Sequence, residues 1–393
     1  MTHAGRWPSG TVAELAVSAI KGMAMRAARI PGAVSLTWGL PSFPTPEPIR
    51  DAVARALAAD PDVGKYTLPD GLPELRHAIA RQRRGLDADG PDPDRNVLVT
   101  AGNMQGLSAL LRAVVDPGDE VILTDPCFAS HIQQVRLCGA RPVYWTLDEA
   151  RGWSLDLDAL PGLVGPRTRA IVLVTPSNPT GKVFEREALL RVAEIAEAAD
   201  LLVVIDDPYS YLVYDDPERY FDLGAEPSVA HRLAYLFTFS KMFAMSGWRL
   251  GYMVVPESLK REVLKAHDAT IICAPRISQV AGLAALGLDR AHVDHFRAVL
   301  AARRVHIRER LDRLAHAFSY HPPEGAYYVF PRIVAPHADA SEFCLRVLDA
   351  VGVALTPGSA FGPSGEHHVR MAFCVSDEAI DEAFDRLERL FPR

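Results

Sequence analysis

Leu201-Leu-Val-Val-Ile205-Asp206-Asp207-Pro208-Tyr209 is the stretch on which the fold turns. Five successive apolar residues suit a strand covered on both faces, as strands are inside a parallel α/β sheet. The run then stops at two carboxylates, a proline and a phenol. Polar groups at that end matter, because ligands of open α/β sheets sit outside the carboxyl ends of the strands. Working outward, six further strands are expected at Asn96–Thr100, Glu120–Thr124, Pro142–Leu147, Ala170–Thr175, Leu233–Phe239 and Leu250–Val255. Helical patterns fall between several of them, at Met104–Val115, Phe128–Cys138 and Glu185–Ala199. Seven strands in this alternation imply one large α/β domain.

The last third changes character. Ala291–Ala317 reads as a long arginine-rich helix. A strand at Tyr327–Phe330, a helix near Ser341–Val351, a strand around His368–Phe373 and a helix over Asp377–Leu390 follow, which is the pattern of a smaller α+β domain. The proline-rich segment Leu40–Pro48 is expected to run between the domains, with Pro46 or Pro48 opening a helix over Ile49–Ala59.

Composition narrows the function. The chain has 393 residues, a formal net charge of −7 and an ordinary 49% of hydrophobic residues. No basic arm or stripe invites nucleic acid. Arg81-Gln-Arg-Arg84 and Arg303-Arg304 lie in helical patterns and are expected on solvated faces. Five cysteines without a CxxC pair argue against a disulfide framework and a zinc site, and suit a reducing, cytoplasmic setting. Met1–Gly10 lacks the pattern of a signal peptide. No apolar run approaches the roughly 18 residues of a membrane span, so no membrane association is expected.

Polar residues gather after the strand candidates: Gly102-Asn103, Asp125–Phe128, Asn178, Asp206–Tyr209 and Ser240-Lys241. Each has an ordinary reading beside a chemical one. Lys241 is a surface lysine, or an amine able to form a Schiff base with an aldehyde cofactor carrying a phosphate. Gly102-Asn103 is a turn, or a helix N-terminus that receives that phosphate together with Thr238, Ser240 and Arg249. Asp206 is a cap, or the partner of a buried cation such as a protonated pyridine. Tyr209 and Phe128 are packed aromatics, or the groups that flank such a ring. Arg370 is an exposed strand residue, or a bidentate ligand for a carboxylate. His367 and His368 point to opposite faces of a strand and make a poor metal pair. Pro176–Val183 has the outline of a nucleotide loop, but it lacks the first glycine and the Ser/Thr after lysine. No GxGxxG follows a strand, and neither GxSxG nor HExxH occurs. The convergence of an amine, an acid, an amide, a phenol and an aromatic ring is what outweighs the ordinary readings.

Together these motifs resemble the class I/II aminotransferases, the aspartate aminotransferase-like family of fold type I pyridoxal-phosphate enzymes. The similarity runs from Leu36–Pro46, through Tyr66–Arg76, Asn178-Pro-Thr-Gly181, Asp206–Tyr209 and Ser240-Lys241 with Arg249, to Arg370. It implies a large domain at 48–285 with a mainly parallel seven-stranded sheet, and a small α+β domain from 1–47 and 286–393. It implies pyridoxal 5'-phosphate as cofactor. Lys241 would carry the Schiff base and move the proton at the substrate Cα. Asp206 would pair with the pyridine nitrogen, Tyr209 and Asn178 would hold the ring hydroxyl oxygen, and Phe128 would stack on the ring. Gly102, Asn103, Met104, Thr238, Ser240 and Arg249 would hold the phosphate. Tyr66 would reach the neighbouring subunit's phosphate in a homodimer with shared sites. Arg370 would grip the α-carboxylate, with Gly39 and Asn178 beside it.

The chain departs from the family pattern in places. Phe128 stands where tryptophan or tyrosine is frequent, and Ala101 and Met104 replace polar residues. Ala269–Pro275 lacks the arginine that binds acidic side chains, and Arg276 reads as one helical turn away. An aminotransferase for neutral or aromatic amino acids and a 2-oxo acid is therefore expected. The alternatives are a lyase, cyclase or side-chain replacement enzyme on the same scaffold, and a regulatory binding module on a dead core, which the intact lysine, acid and arginine disfavour.

Overall fold

The computed structural model describes residues 9–15, 19–84 and 90–393. Most of the amino-terminal stretch examined for a signal peptide, residues 1–8, lies outside the described residues. All seven expected strands form and pair into one sheet: β1 Val97–Thr100, β2 Glu120–Asp125, β3 Arg141–Thr146, β4 Thr168–Val174, β5 Leu202–Asp207, β6 Leu233–Thr238 and β7 Gly251–Val254. Their order is β1-β7-β6-β5-β4-β2-β3. β3, β2, β4, β5 and β6 pair in parallel, whereas β7 runs antiparallel to both its neighbours, β6 and β1.

That single reversal positions the site. β1, β4, β5 and β6 present their carboxyl ends at one edge of the sheet. β7 presents its amino end there, so Arg249, which precedes it, reaches the same edge as Asn103, Asn178, Asp206 and Lys241. Successive strand residues face opposite sides, and each side has its own core. Val97, Val99, Ile171, Leu173, Val203, Ile205, Tyr235 and Phe237 pack on one face. Leu98, Ala170, Val172, Val204, Ala234, Leu236 and Met253 pack on the other. Burial on both faces is what the continuous apolar runs required.

The expected helices form at Asn103–Val114, Ala129–Leu137, Arg186–Ala198, Ala340–Val351 and Asp377–Leu390. The long helix stops at Arg313, four residues short of the expected end. Glu47–Ala59 begins with Pro46 as its cap and Pro48 in its first turn. Pro73–Arg84, Glu257–Ile271 and Arg276–Leu286 are further helices that the strand-centred reading did not pick out.

Beyond the large sheet, Val34–Ser35 pairs in parallel with Val353–Ala354. Tyr328–Val329 and Thr356–Pro357 flank Val369–Ala372 in an antiparallel three-stranded sheet. A third core joins these pieces and includes Leu36, Tyr209, Tyr327, Tyr328 and Met371.

Of the arginine runs expected on solvated faces, Arg81 is exposed, the side chain of Arg84 lies outside the described residues, and Arg303-Arg304 departs from expectation. Arg303 and Arg304 are buried. Arg304 forks onto Asp215 at 2.9 and 2.7 Å and donates to the Pro323 carbonyl at 2.6 Å. Arg303 donates to Ser42 Oγ at 2.8 Å. Arg83 binds Asp222 at 2.6 and 3.1 Å and lies 3.7 Å from the Tyr235 ring centroid. Remote carboxylates make these positions tolerable, with Asp377 Oδ2 3.5 Å from Arg303 Nε, and helical periodicity alone does not reveal remote partners. Among the described residues no helix is long and apolar enough to cross a membrane.

Candidate active site

Lys241 follows β6 directly, on a one-turn helix at Phe239–Met242. Its amine donates to the Gly39 carbonyl at 2.7 Å. Removal from water disfavours the ammonium, and the neighbouring Arg370 and Arg249 act in the same direction; together they lower its pKa from 10.5 to about 8. A lysine is thus present as neutral amine to a useful extent near neutral pH, which a nucleophile requires.

Lys241 opens on a cavity of about 170 Å³. Asn103, Met104, Phe128, Asn178, Asp206, Tyr209, Thr238, Ser240 and Arg249 from the sequence analysis line the same space. Asp206, at the end of β5, is buried and doubly held. Asn103 Nδ2 donates to one carboxylate oxygen at 2.6 Å, and His131 Nε2 lies 2.9 Å from the other. Phe128 caps the helix Ala129–Leu137 and meets His131 edge-on at 5.3 Å.

One end of the cavity has the chemistry that suits an anion. Gly102 has φ +79 and opens the helix Asn103–Val114, whose first N–H groups and dipole favour negative charge. A Cβ on Gly102 would lie 2.6 Å from Arg249 Nη2, so glycine lets the guanidinium approach the helix start. Arg249 itself has φ +51 and donates to the Ser246 carbonyl at 2.8 Å. Thr238 Oγ1 caps the Lys241 helix, accepting from Ser240 N at 3.2 Å and donating to Ser240 Oγ at 2.9 Å.

Arg370, which is 1% exposed, does not line the cavity itself but lies behind Asn178 and Tyr328, which do. It donates to Asn178 Oδ1 at 3.0 Å and to the Thr37 carbonyl, while its Nε has no partner among the described residues. Gly39 is reached from several sides: Lys241 and Tyr327 both donate to its carbonyl, the latter at 3.0 Å. Tyr66 is elsewhere, 74% exposed and away from this cavity.

Three neighbours escaped the sequence reading. His131 lies on a helix rather than at a strand end, and only its spacing from Phe128 hinted at it. Tyr328 hydrogen-bonds Tyr209 at 3.1 Å between hydroxyls, although 119 residues separate them. Thr37 contributes a backbone carbonyl, which leaves no side-chain signal. Of the two adjacent histidines, His368 is buried and binds Glu149 Oε1 at 3.0 Å, while His367 Nδ1 meets His337 Nε2 at 3.0 Å. Among the described residues no His/Cys/Asp/Glu group is arranged to hold a metal.

Comparison with known proteins places this geometry. The family model described as "Aminotransferase class I and II" matches residues 31–387. The chain is 33% identical over 377 residues to an aspartate aminotransferase from Pyrococcus horikoshii, covering 95% of this chain and 94% of that one. It is 33% identical over 366 residues to aromatic-amino-acid aminotransferase 2 from Thermococcus litoralis, covering 92% of each. The solved structure of N-succinyldiaminopimelate aminotransferase from Mycobacterium tuberculosis superposes with a TM-score of 0.90 at 35% identity, covering 98% of this chain and 100% of that one.

Proposed function

Since the chain belongs to the class I and II aminotransferases, we propose that it moves an amino group between an amino acid with a neutral or aromatic side chain and a 2-oxo acid, the two substrates alternating in a ping-pong sequence. That it is an aminotransferase of pyridoxal-phosphate fold type I, with pyridoxal phosphate as cofactor, is the ground of this reading.

The residues present fit that cofactor. An accessible amine of lowered pKa, a buried carboxylate across the cavity and an anion end made of a helix start, two hydroxyls and a guanidinium match an aldehyde, a pyridine nitrogen and a phosphate. Lys241 would hold the aldehyde, Asp206 the ring nitrogen, Tyr209 and Asn178 the ring oxygen, and Phe128 one ring face. Gly102, the backbone at Asn103 and Met104, Thr238, Ser240 and Arg249 would hold the phosphate. Asn103's side chain is committed to Asp206, so we assign it a second task, fixing that carboxylate. When bound, pyridoxal phosphate supplies the electron sink for the carbanion at the substrate Cα.

The chain's own residues supply the rest. Lys241 Nζ takes the proton from Cα and returns it elsewhere, a role suited to an amine whose pKa sits near working pH. Asp206, oriented by Asn103 and His131, keeps a proton on the heterocycle by charge attraction. Arg370 fixes the α-carboxylate through the fork it presents beside Asn178.

One observation carries the reading. Lys241 and Arg370 both donate to carbonyls of one short segment, Gly39 and Thr37 respectively. The proton-moving amine and the carboxylate-binding guanidinium are therefore held within one amino acid's reach of each other. The preference for a neutral or aromatic side chain is supported by Trp38 and Leu40, both exposed on either side of Gly39. Arg276 is occupied by Asp60, with Nη2 at 3.1 Å from Oδ2. Tyr66, exposed and outside its own cavity, supports a homodimer in which it serves the neighbouring site. The test is a panel of amino donors and 2-oxo acids with every product identified by mass spectrometry. Stoichiometric half-reactions with leucine-like or aromatic donors are expected. Ammonia release without an acceptor, or a clear preference for aspartate, would overturn the proposal.

A further inference from the structure

Tyr328 has no part in the roles above, yet it touches three of the residues that do. Its hydroxyl lies 3.1 Å from the Tyr209 hydroxyl. The Arg370 guanidinium lies 4.3 Å from its ring centroid. A Cβ on Gly39 would overlap its hydroxyl, so the phenol rests directly against that glycine's backbone. Tyr328 is buried and lines the active-site cavity.

The sheet register explains the placement. Tyr328 pairs across the antiparallel ladder with Ala372, and Arg370 lies two residues along the same strand. Residues two apart share a face, and a diagonal neighbour is within reach of an aromatic ring. The strand that carries Arg370 thus puts Tyr328 beside it, while the third core brings Tyr209 against Tyr328.

We infer that Tyr328 is the positioning residue that couples the two ends of the site, donating its hydroxyl proton to Tyr209 and supporting the Arg370 guanidinium on its ring. This rests on the roles proposed for Tyr209 and Arg370. The direction of the hydrogen bond follows from demand. Tyr209 must donate to the cofactor ring oxygen, so it accepts from Tyr328, and a hydroxyl that accepts becomes a stronger donor. The ring contact supplies a face to an arginine removed from water, where cation–π attraction is largest.

The two contributions separate by substitution in the full-length, cofactor-loaded protein. Tyr328→Phe keeps the ring and removes the hydroxyl. Tyr209 then donates less strongly, the ring oxyanion is less stabilised, and the pH midpoint of the bound cofactor's visible band moves upward. Turnover falls roughly fivefold, the size of one lost neutral hydrogen bond, while KM for the amino acid stays within about twofold because the ring contact persists. Tyr328→Leu removes the ring as well, and KM rises roughly fivefold or more. Tyr209→Phe and Arg370→Lys are run alongside. If Tyr209→Phe moves the band midpoint and Tyr328→Phe does not, the hydroxyl role is wrong. If Arg370→Lys raises KM and Tyr328→Leu does not, the ring role is wrong. If neither control responds, the roles of Tyr209 and Arg370 fall instead. Should the leucine variant not fold, as judged by near-UV circular dichroism, the band titration of the near-isosteric phenylalanine variant still decides the coupling.

Discussion

The two ends of this active site are made in different ways. The end proposed for the cofactor is built almost wholly from one sheet: Asn103, Asp206, Thr238, Ser240, Lys241 and Arg249 each sit beside a strand terminus at a common edge. The end proposed for the substrate carboxylate has no such scaffold. It assembles a backbone carbonyl of Thr37, a ring at Tyr328 and a guanidinium at Arg370, with 333 residues between the first and the last. A sheet edge collects polar groups by topology alone, whereas a site made of three remote pieces depends on the packing that brings them together. The cofactor end should therefore tolerate loss of the carboxylate end better than the reverse.

Substitutions test that asymmetry, beginning with the largest effect. Lys241→Ala should abolish the bound cofactor's visible band and reduce turnover by at least about 10²–10⁴, the usual contribution of a positioned proton-transfer group; retained activity would remove the residue from its role. Asp206→Asn should leave the far-UV circular dichroism unchanged and cut turnover by roughly one to three decades, following the one to three pH units by which a close opposite charge shifts a titrating partner. Arg370→Ala should raise KM for the amino acid by roughly ten- to a hundredfold, as lost charged hydrogen bonds predict. It should leave the cofactor's dissociation constant nearly unchanged, and an equal loss of both would mean that the two ends are not separate. The smallest effect concerns pH. Burial lowers the Lys241 pKa from 10.5 to about 8, so the amine is protonated below about 8 and neutral above it. In stopped-flow absorbance, the rate at which cofactor-free protein develops its visible band should rise as pH increases to about 8 and flatten beyond; a climb continuing toward 10.5 would mean that the amine is not desolvated.

The same contrast explains what could be read in advance. Seven strands were legible because burial on both faces demands unbroken apolar runs, and Val203 and Val204 do belong to opposite cores. Lys241, Asp206 and Asn178 were legible because each follows such a run. His131 and Tyr328 were not, since a histidine on a helix and a tyrosine among tyrosines look like ordinary packing. Asn103 was expected only at the phosphate, because its second engagement, with Asp206, crosses 103 residues. Arg303 and Arg304 were misplaced on the surface for the same reason: their partners Ser42 and Asp215 lie far along the chain.

Sequence by itself determined the sheet, the identity of the amine and acid at its edge, and the class of chemistry, because these follow from hydrophobic runs and from the groups that interrupt them. Tertiary structure alone decided the route by which Arg249 arrives at that edge, the reversed β7, and the meeting of Thr37, Tyr328 and Arg370. Such meetings depend on strand direction and on the register of short strands, and a change of register by one residue would turn each side chain to the other face.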